Sequence, residues 1–462
     1  MRSTYFSFAL VLCILALLLA GCHREVPETT PPVTTIPIAP LEQYDRARQP
    51  VDQAKNLILS YSMAETRTVA ANALPRTVTG TASYSKIGKT TMTAVVEETL
   101  RYGSYTTAYT EAYCNRTAYA VVNGCYFSSH MSASVFTARQ VPAVLVTGSL
   151  YGTVTREYAD NTILLTFTQP KGLESWVTTE DVTLIRATGT AILDFAGNLM
   201  QTGYHAEYRL GDVTYVLDLT VQANAPKSLD LSAKHPAHDQ ECVPLTSLDA
   251  LKYLIQAAGD VYAAEKVSCQ ATETIFSDAI PLTYNQTTQL SLSGFGDTLS
   301  ATAQYNVTLS DYRGEVTATT QLDRFQDGVF TSQVNNGEPK VQDWVTAKQM
   351  RRLAEDELLS GLMAVKYLAD ATVTDDGSTI RLELSGNDSF CADLMTTIAD
   401  FLQVNLDEAA EASETQLAGG YLVISKDTGL PVEMGIHMNK IHTINTVVYE
   451  LTHTLQQNLS FE

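Results

Sequence analysis

Two apolar periods share this chain. Apolar residues recurring at three and four predict a helix in two places: Val51, Ala54, Ile58 and Tyr61 mark one, and Leu248, Leu251, Ile255, Ala258 and Tyr262 the other. The similar heptapeptides DQAKNLI (52–58) and DALKYLI (249–255) lie in these patterns at an offset of 197. Period-two alternation dominates elsewhere, in Thr-, Val- and Tyr-rich runs such as RYGSYTTAYTEAYC and DTLSATAQYNVTLSDYRGEVTATTQL, and predicts antiparallel strands. Asn123-Gly124 and Asp327-Gly328 separate such runs at an offset of 204. Each pair asks for a tight hairpin, because a type I′ turn needs positive φ at both central residues. Residues 196–220 align with 428–452 without a gap at an offset of 232, placing Gly197 on Gly429, His205 on His437 and Leu219 on Leu451.

The offsets imply a duplication whose second copy carries 28 extra residues between the hairpin and the closing strands. These fall in two segments with helical spacing: Trp344, Met350, Leu353, Leu358 and Leu362, then Phe390, Leu394, Ile398 and Phe401. The predicted fold class is α+β, each copy having an opening helix, a strand meander, one or two helices and a final group of strands. The expected divisions are a leader at 1–21, a tether at 22–41, a first domain at 42–226, a linker at 227–245 and a second domain at 246–462.

The leader has one early Arg, an apolar run from Phe8 to Leu19 and an abrupt end, the pattern of a secretory signal and too short for a spanning helix. Leu19, Ala20, Gly21 and Cys22 together resemble the bacterial lipobox, in which signal peptidase recognises the first three residues and the cysteine sulfur is lipidated. That resemblance implies a lipid anchor at the membrane's extracytoplasmic face. Prolines at 27, 31, 32, 37 and 40 favour extended geometry, so residues 23–41 would reach roughly 60 Å at about 3.1 Å each.

A net charge of −21, becoming −22 once Arg2 leaves with the signal, argues against nucleic acid or anionic lipid as an electrostatic partner. Beyond the signal and Cys22, five cysteines remain: Cys114, Cys125, Cys242, Cys269 and Cys391. An odd number cannot all pair within one chain, their pairing is open, and their spacings match no zinc pattern.

The hairpin AYAVVNGCYFSS (118–129) and the closing GYLVISKDTGLPVEMGIHM (420–438), with the order of elements around them, resemble parts of the LolA/LppX-like lipoprotein family. The resemblance implies two tandem half-barrel sheets, each curved over helices that enclose an apolar cavity for acyl chains. It carries over no binding residue.

Chemistry-bearing motifs are few. Asp427-Thr428-Gly429 has the tripeptide of aspartic proteases, but the second carboxylate such enzymes require is missing, since the aligned residues are Phe195-Ala196-Gly197. Only glycine recurs, which is a turn's requirement. Ser83 and Lys86 have Ser-x-x-Lys spacing on strand-like sequence without a partner motif. His235 and His238, near Glu241 and Cys242, read as a solvated linker rather than a metal site. His205 and His437 read as locally bonded strand histidines. Tyr105, Thr107, Tyr109, Glu111 and Tyr113 share one side of a strand, where the three tyrosines form either a ligand wall or an aromatic ladder between strands. No catalytic residue, metal or cofactor is predicted. The expected function is that of a non-enzymatic, lipid-anchored envelope protein that binds or presents an apolar or amphipathic ligand. The alternative is a spacer or docking lipoprotein whose protein partner is unknown.

Overall fold

The computed structural model describes residues 38–69, 72–139, 153–159, 161–168, 182–234, 241–279, 282–294, 298–311, 313–350, 364–402 and 404–461. Leu19, Ala20, Gly21, Cys22, most of the tether, His235 and His238 lie outside them. So does much of the helical pattern at 344–362.

The first sheet contains β1 (Asn56–Val69), β2 (Asn72–Ser85), β3 (Thr93–Tyr102), β4 (Tyr105–Cys114), β5 (Thr117–Val122), β6 (Cys125–His130), β7 (Thr153–Ala159), β8 (Thr162–Thr168), β9 (Val182–Asp194), β10 (Leu199–Leu210), β11 (Val213–Asn224) and β12 (Val243–Pro244). Its spatial order is β12-β6-β5-β4-β3-β2-β1-β11-β10-β9-β8-β7. The second contains β13 (Lys266–Ser277), β14 (Leu282–Ser293), β15 (Ser300–Ser310), β16 (Val316–Gln326), β17 (Val329–Val334), β18 (Lys340–Val341), β19 (Leu368–Asp375), β20 (Thr379–Gly386), β21 (Ala412–Ser425), β22 (Pro431–Ile444) and β23 (Val447–Phe461). Its order, β18-β17-β16-β15-β14-β13-β23-β22-β21-β20-β19, repeats the same plan. In the first sheet β11 returns to pair with β1, with β12 added in parallel beside β6, and in the second β23 returns to pair with β13, so that the chain meanders outward on either side.

Both expected hairpins have the required geometry: Asn123 and Gly124 lie at φ 49° and 79°, Asp327 and Gly328 at 52° and 79°. Period-two burial organises the strands, as in β11, where Val213, Tyr215, Leu217, Leu219 and Val221 all point inward.

The α+β expectation, with half-barrel sheets packed against helices, is corrected. The chain is mostly β, the helices are few, and the end strands of neither sheet pair with each other among the described residues. Part of the reason lies at 51–61. The helix α1 (Pro40–Asp52) buries Tyr44, Ala47 and Val51 and ends before Ile58 and Tyr61. Those two residues belong to β1, where Leu57, Leu59 and Tyr61 are buried at period two. The strand alternation overrides a helical spacing that spanned the junction by coincidence. The heptapeptide match at offset 197 therefore joins a helix end and strand start to the first half of a helix.

The described residues also include the helices α2 (Ala133–Ala138), α3 (Asp249–Ala263), α4 (Asp388–Leu402) and α5 (Leu406–Ala409). α4 turns Phe390, Leu394 and Ile398 inward, as their spacing requires. α3 opens the second repeat in sequence, yet it packs against β2, β3 and β4 of the first sheet and against β19 of the second. One continuous apolar cluster therefore includes side chains from both sheets and from α3.

Candidate functional site

The second face of α3 forms one wall of a cleft of about 640 Å³. The sequence DALKYLIQAAGDVYA is apolar around most of its circumference, the pattern of a helix covered on two sides. Toward the first sheet it presents Gly259 and Asp260, and toward the cleft Leu254, Ile255, Ala258 and Tyr262. The second sheet supplies Glu273, Ile436, His453 and Leu455, and α4 supplies Phe390, Asp393, Leu394 and Thr397. The first sheet adds Tyr105, Val122 and Asn123 to the lining, and residues 364–367 complete it. The Tyr105 and Tyr262 rings stack with centroids 5.1 Å apart and planes at 14°.

Polar groups are sparse there. His453 Nε2 lies 2.8 Å from Glu273 Oε1, and a carboxylate can only accept, so the imidazole donates. The pair arises from register: His453 faces Ile275 across the β13–β23 ladder, and Glu273 lies two residues along on the same side. At the exposed mouth, Tyr367 donates to Asp393, and Lys366 Nζ stands 4.4 Å from the centre of the Tyr367 ring.

Of the tyrosine stripe, only Tyr105 reaches this cleft. Tyr109 is buried and donates to Glu111, whose carboxylate is fully buried and also accepts from Arg139 at 3.1 Å. Burial, then the nearby Glu111 carboxylate, hold the Tyr109 hydroxyl well above its ordinary range. Tyr113 packs against Phe136, ring centres 5.0 Å apart. These two tyrosines stand within the packed interior of the first sheet. Their alternation along β4 is visible in sequence. Glu273 and His453 carry no local signal, because 180 residues separate them; the all-round apolar character of α3 is the clue that it is covered on two sides.

His205 stands on β10 with Nδ1 2.7 Å from Asp218 Oδ1 on β11. Asp427-Thr428-Gly429 forms the turn between β21 and β22, with Asp427 exposed. Gly429 lies at φ +66°, and its counterpart Gly197 at +86°. The Gly429 turn also docks on the first sheet: its carbonyl accepts from Arg67 Nη1 at 2.8 Å and from Gln256 Nε2 at 3.3 Å. A β-carbon at Gly429 would lie 2.8 Å from Arg67 Nη1. Gly429→Val is therefore expected to destabilise the fold by about 2 kcal/mol, through left-handed backbone strain and disturbance of that contact. Asp427→Asn is expected to change stability by less than about 0.5 kcal/mol. Urea unfolding of the two variants measures both, and a larger effect from the Asp427 change would reverse the assignment of roles in this turn.

No known family profile matches the chain, and no curated protein matches it. Among solved structures it is similar to LprF from Mycobacterium bovis, at 13% identity over 41% of this chain and 95% of that one, with a TM-score of 0.25. It is also similar to a DUF1329 family protein from Desulfovibrio piger, at 10% identity over 46% of this chain and 90% of that one, with a TM-score of 0.18. At such low scores, the chemistry of the cleft is read from this chain's own residues.

Proposed function

We propose that this protein is a lipid-anchored, extracytoplasmic lipoprotein of the carrier-like class that binds an apolar or amphipathic ligand without catalysing a reaction. The observation that carries the reading is the α3 cleft. Its roughly 640 Å³ falls within the range of about 300–1,000 Å³ common to small-molecule sites, and its walls are apolar and aromatic with a few polar groups. The duplicated sheets are read as tandem domains at 42–226 and 246–462 joined by residues 227–245, with α3 serving both. Among the described residues no helix is long and apolar enough to cross a bilayer. In this reading the anchor is lipid on Cys22, after cleavage that depends on Leu19, Ala20 and Gly21, and the 22–41 tether holds the sheets away from the membrane. Two acyl chains retain a protein on a bilayer where one does so only marginally.

Two measurements test this. Cys22→Ser is expected to abolish labelling by a palmitate analogue and to release the protein from membranes, and retained labelling would remove the anchor. The chain from residue 23 onward is expected to carry extractable lipid in native mass spectrometry and to bind the neutral fluorophore N-phenyl-1-naphthylamine. Ala258→Trp, which fills the α3 wall, is expected to weaken that binding by about tenfold or more. Protein with no lipid and no fluorophore uptake would sink the binding reading.

A further inference from the structure

We infer that Glu273 is the polar anchor of the cleft and that the ligand is a single-chain amphiphile whose head donates hydrogen bonds, as an ammonium or a hydroxyl does. This rests on the reading of the cleft as a ligand site and adds the class of head group. Depth decides which charged group selects the head. Lys366 and Asp393 stand exposed at the mouth, where Lys366 lies against the Tyr367 ring and Asp393 accepts from the Tyr367 hydroxyl. Glu273 lies inside, its side chain only 15% exposed, beside a His453 side chain that is 2% exposed. The histidine donates to one carboxylate oxygen and cannot add acceptor demand elsewhere on that carboxylate, so a second donor is accommodated and an anionic head is opposed. Charges in a partly dry cleft act more strongly than at its rim. His453 Nδ1 is also buried without a hydrogen-bond partner among the described residues. The apolar stretch formed by Leu254, Ile255, Phe390 and Leu394 receives the chain. One charged hydrogen bond discriminates by about 1.5–3 kcal/mol, or roughly tenfold or more in affinity.

The test displaces N-phenyl-1-naphthylamine from the mature chain with decylammonium, 1-decanol and decanoate. It is run in about 0.5 M salt, where a screening length of about 4 Å suppresses attraction by the protein's overall charge. Decylammonium is expected to bind at least tenfold more tightly than decanoate, with decanol between them. Glu273→Gln is expected to bring the amine and the acid within about twofold of each other, both measured against that variant's own fluorophore affinity, and Lys366→Gln to preserve the original order. Decanoate equal to or tighter than decylammonium on the unaltered protein would overturn the inference, as would an unchanged order in Glu273→Gln. Fluorophore uptake without any head-group order removes this inference alone; no uptake removes the cleft reading with it.

Discussion

Replacing Arg67 with alanine is expected to destabilise the fold by about 3–5 kcal/mol, the cost of removing one partner from a buried ion pair. Arg67 on β1 is 5% exposed and Asp260 on α3 is 1% exposed, and the guanidinium donates to the carboxylate and to the Gly429 carbonyl. One cation thus ties together the first sheet, the helix between the sheets and a turn of the second sheet. Burial pushes the Asp260 carboxyl up, and Arg67 opposes that push. Without the guanidinium the upward push is opposed only by the weaker pull of Arg76, and the carboxyl must either take a proton or draw water into the core. A second variant separates this cause from simple loss of packing. Arg67→Met combined with Asp260→Leu is expected to recover most of the loss, because apolar replacement of a buried pair is often neutral or better. A deficit of about 1 kcal/mol should remain for the lost bond to Gly429. Urea denaturation of both variants decides: a single mutant within about 1 kcal/mol of the parent, or a double mutant less stable than the single, would show that the pair does not hold the halves together.

The strand plan was legible because its signals are local. Asn123-Gly124 and Asp327-Gly328 are adjacent residues that demand one backbone geometry, and the alternation in β4 and β11 needs only a few consecutive positions. The helical spacing of Val51, Ala54, Ile58 and Tyr61 misleads because these residues span the end of α1 and the start of β1, where two periods overlap for a few residues. The two-sided role of α3 was present in its composition, but which sheet each face would meet depends on tertiary packing. That Gly429 docks on Arg67 depends on contacts across 362 positions, so the turn was recognisable while its neighbour was not. The same holds for the cleft, whose polar pair comes from strands at opposite ends of the second repeat.

Gly259 is the position where α3 meets the first sheet most closely, and Gly259→Val is expected to destabilise the protein by about 3 kcal/mol or more, at the upper end of overpacking costs. Helix propensity alone would favour alanine over glycine here by about 1 kcal/mol. Space decides the other way: a β-carbon would clash with Cγ and both Cδ atoms of the Tyr102 ring. Tyr102 is 2% exposed, so the ring cannot swing aside as a surface side chain would. Gly259→Ala is therefore expected to be net destabilising by about 1–2 kcal/mol despite its better propensity. If α3 instead yields by moving away from Tyr102, its opposite face moves with it, and Leu254, Ile255 and Ala258 encroach on the cleft. Gly259→Ala should then lower the melting temperature and weaken fluorophore binding together. Tyr102→Leu in the same chain should restore part of both, because removing the ring atoms opposite Gly259 makes room for the methyl group. An alanine variant more stable than the parent would show that the helix and sheet are not in contact at this point.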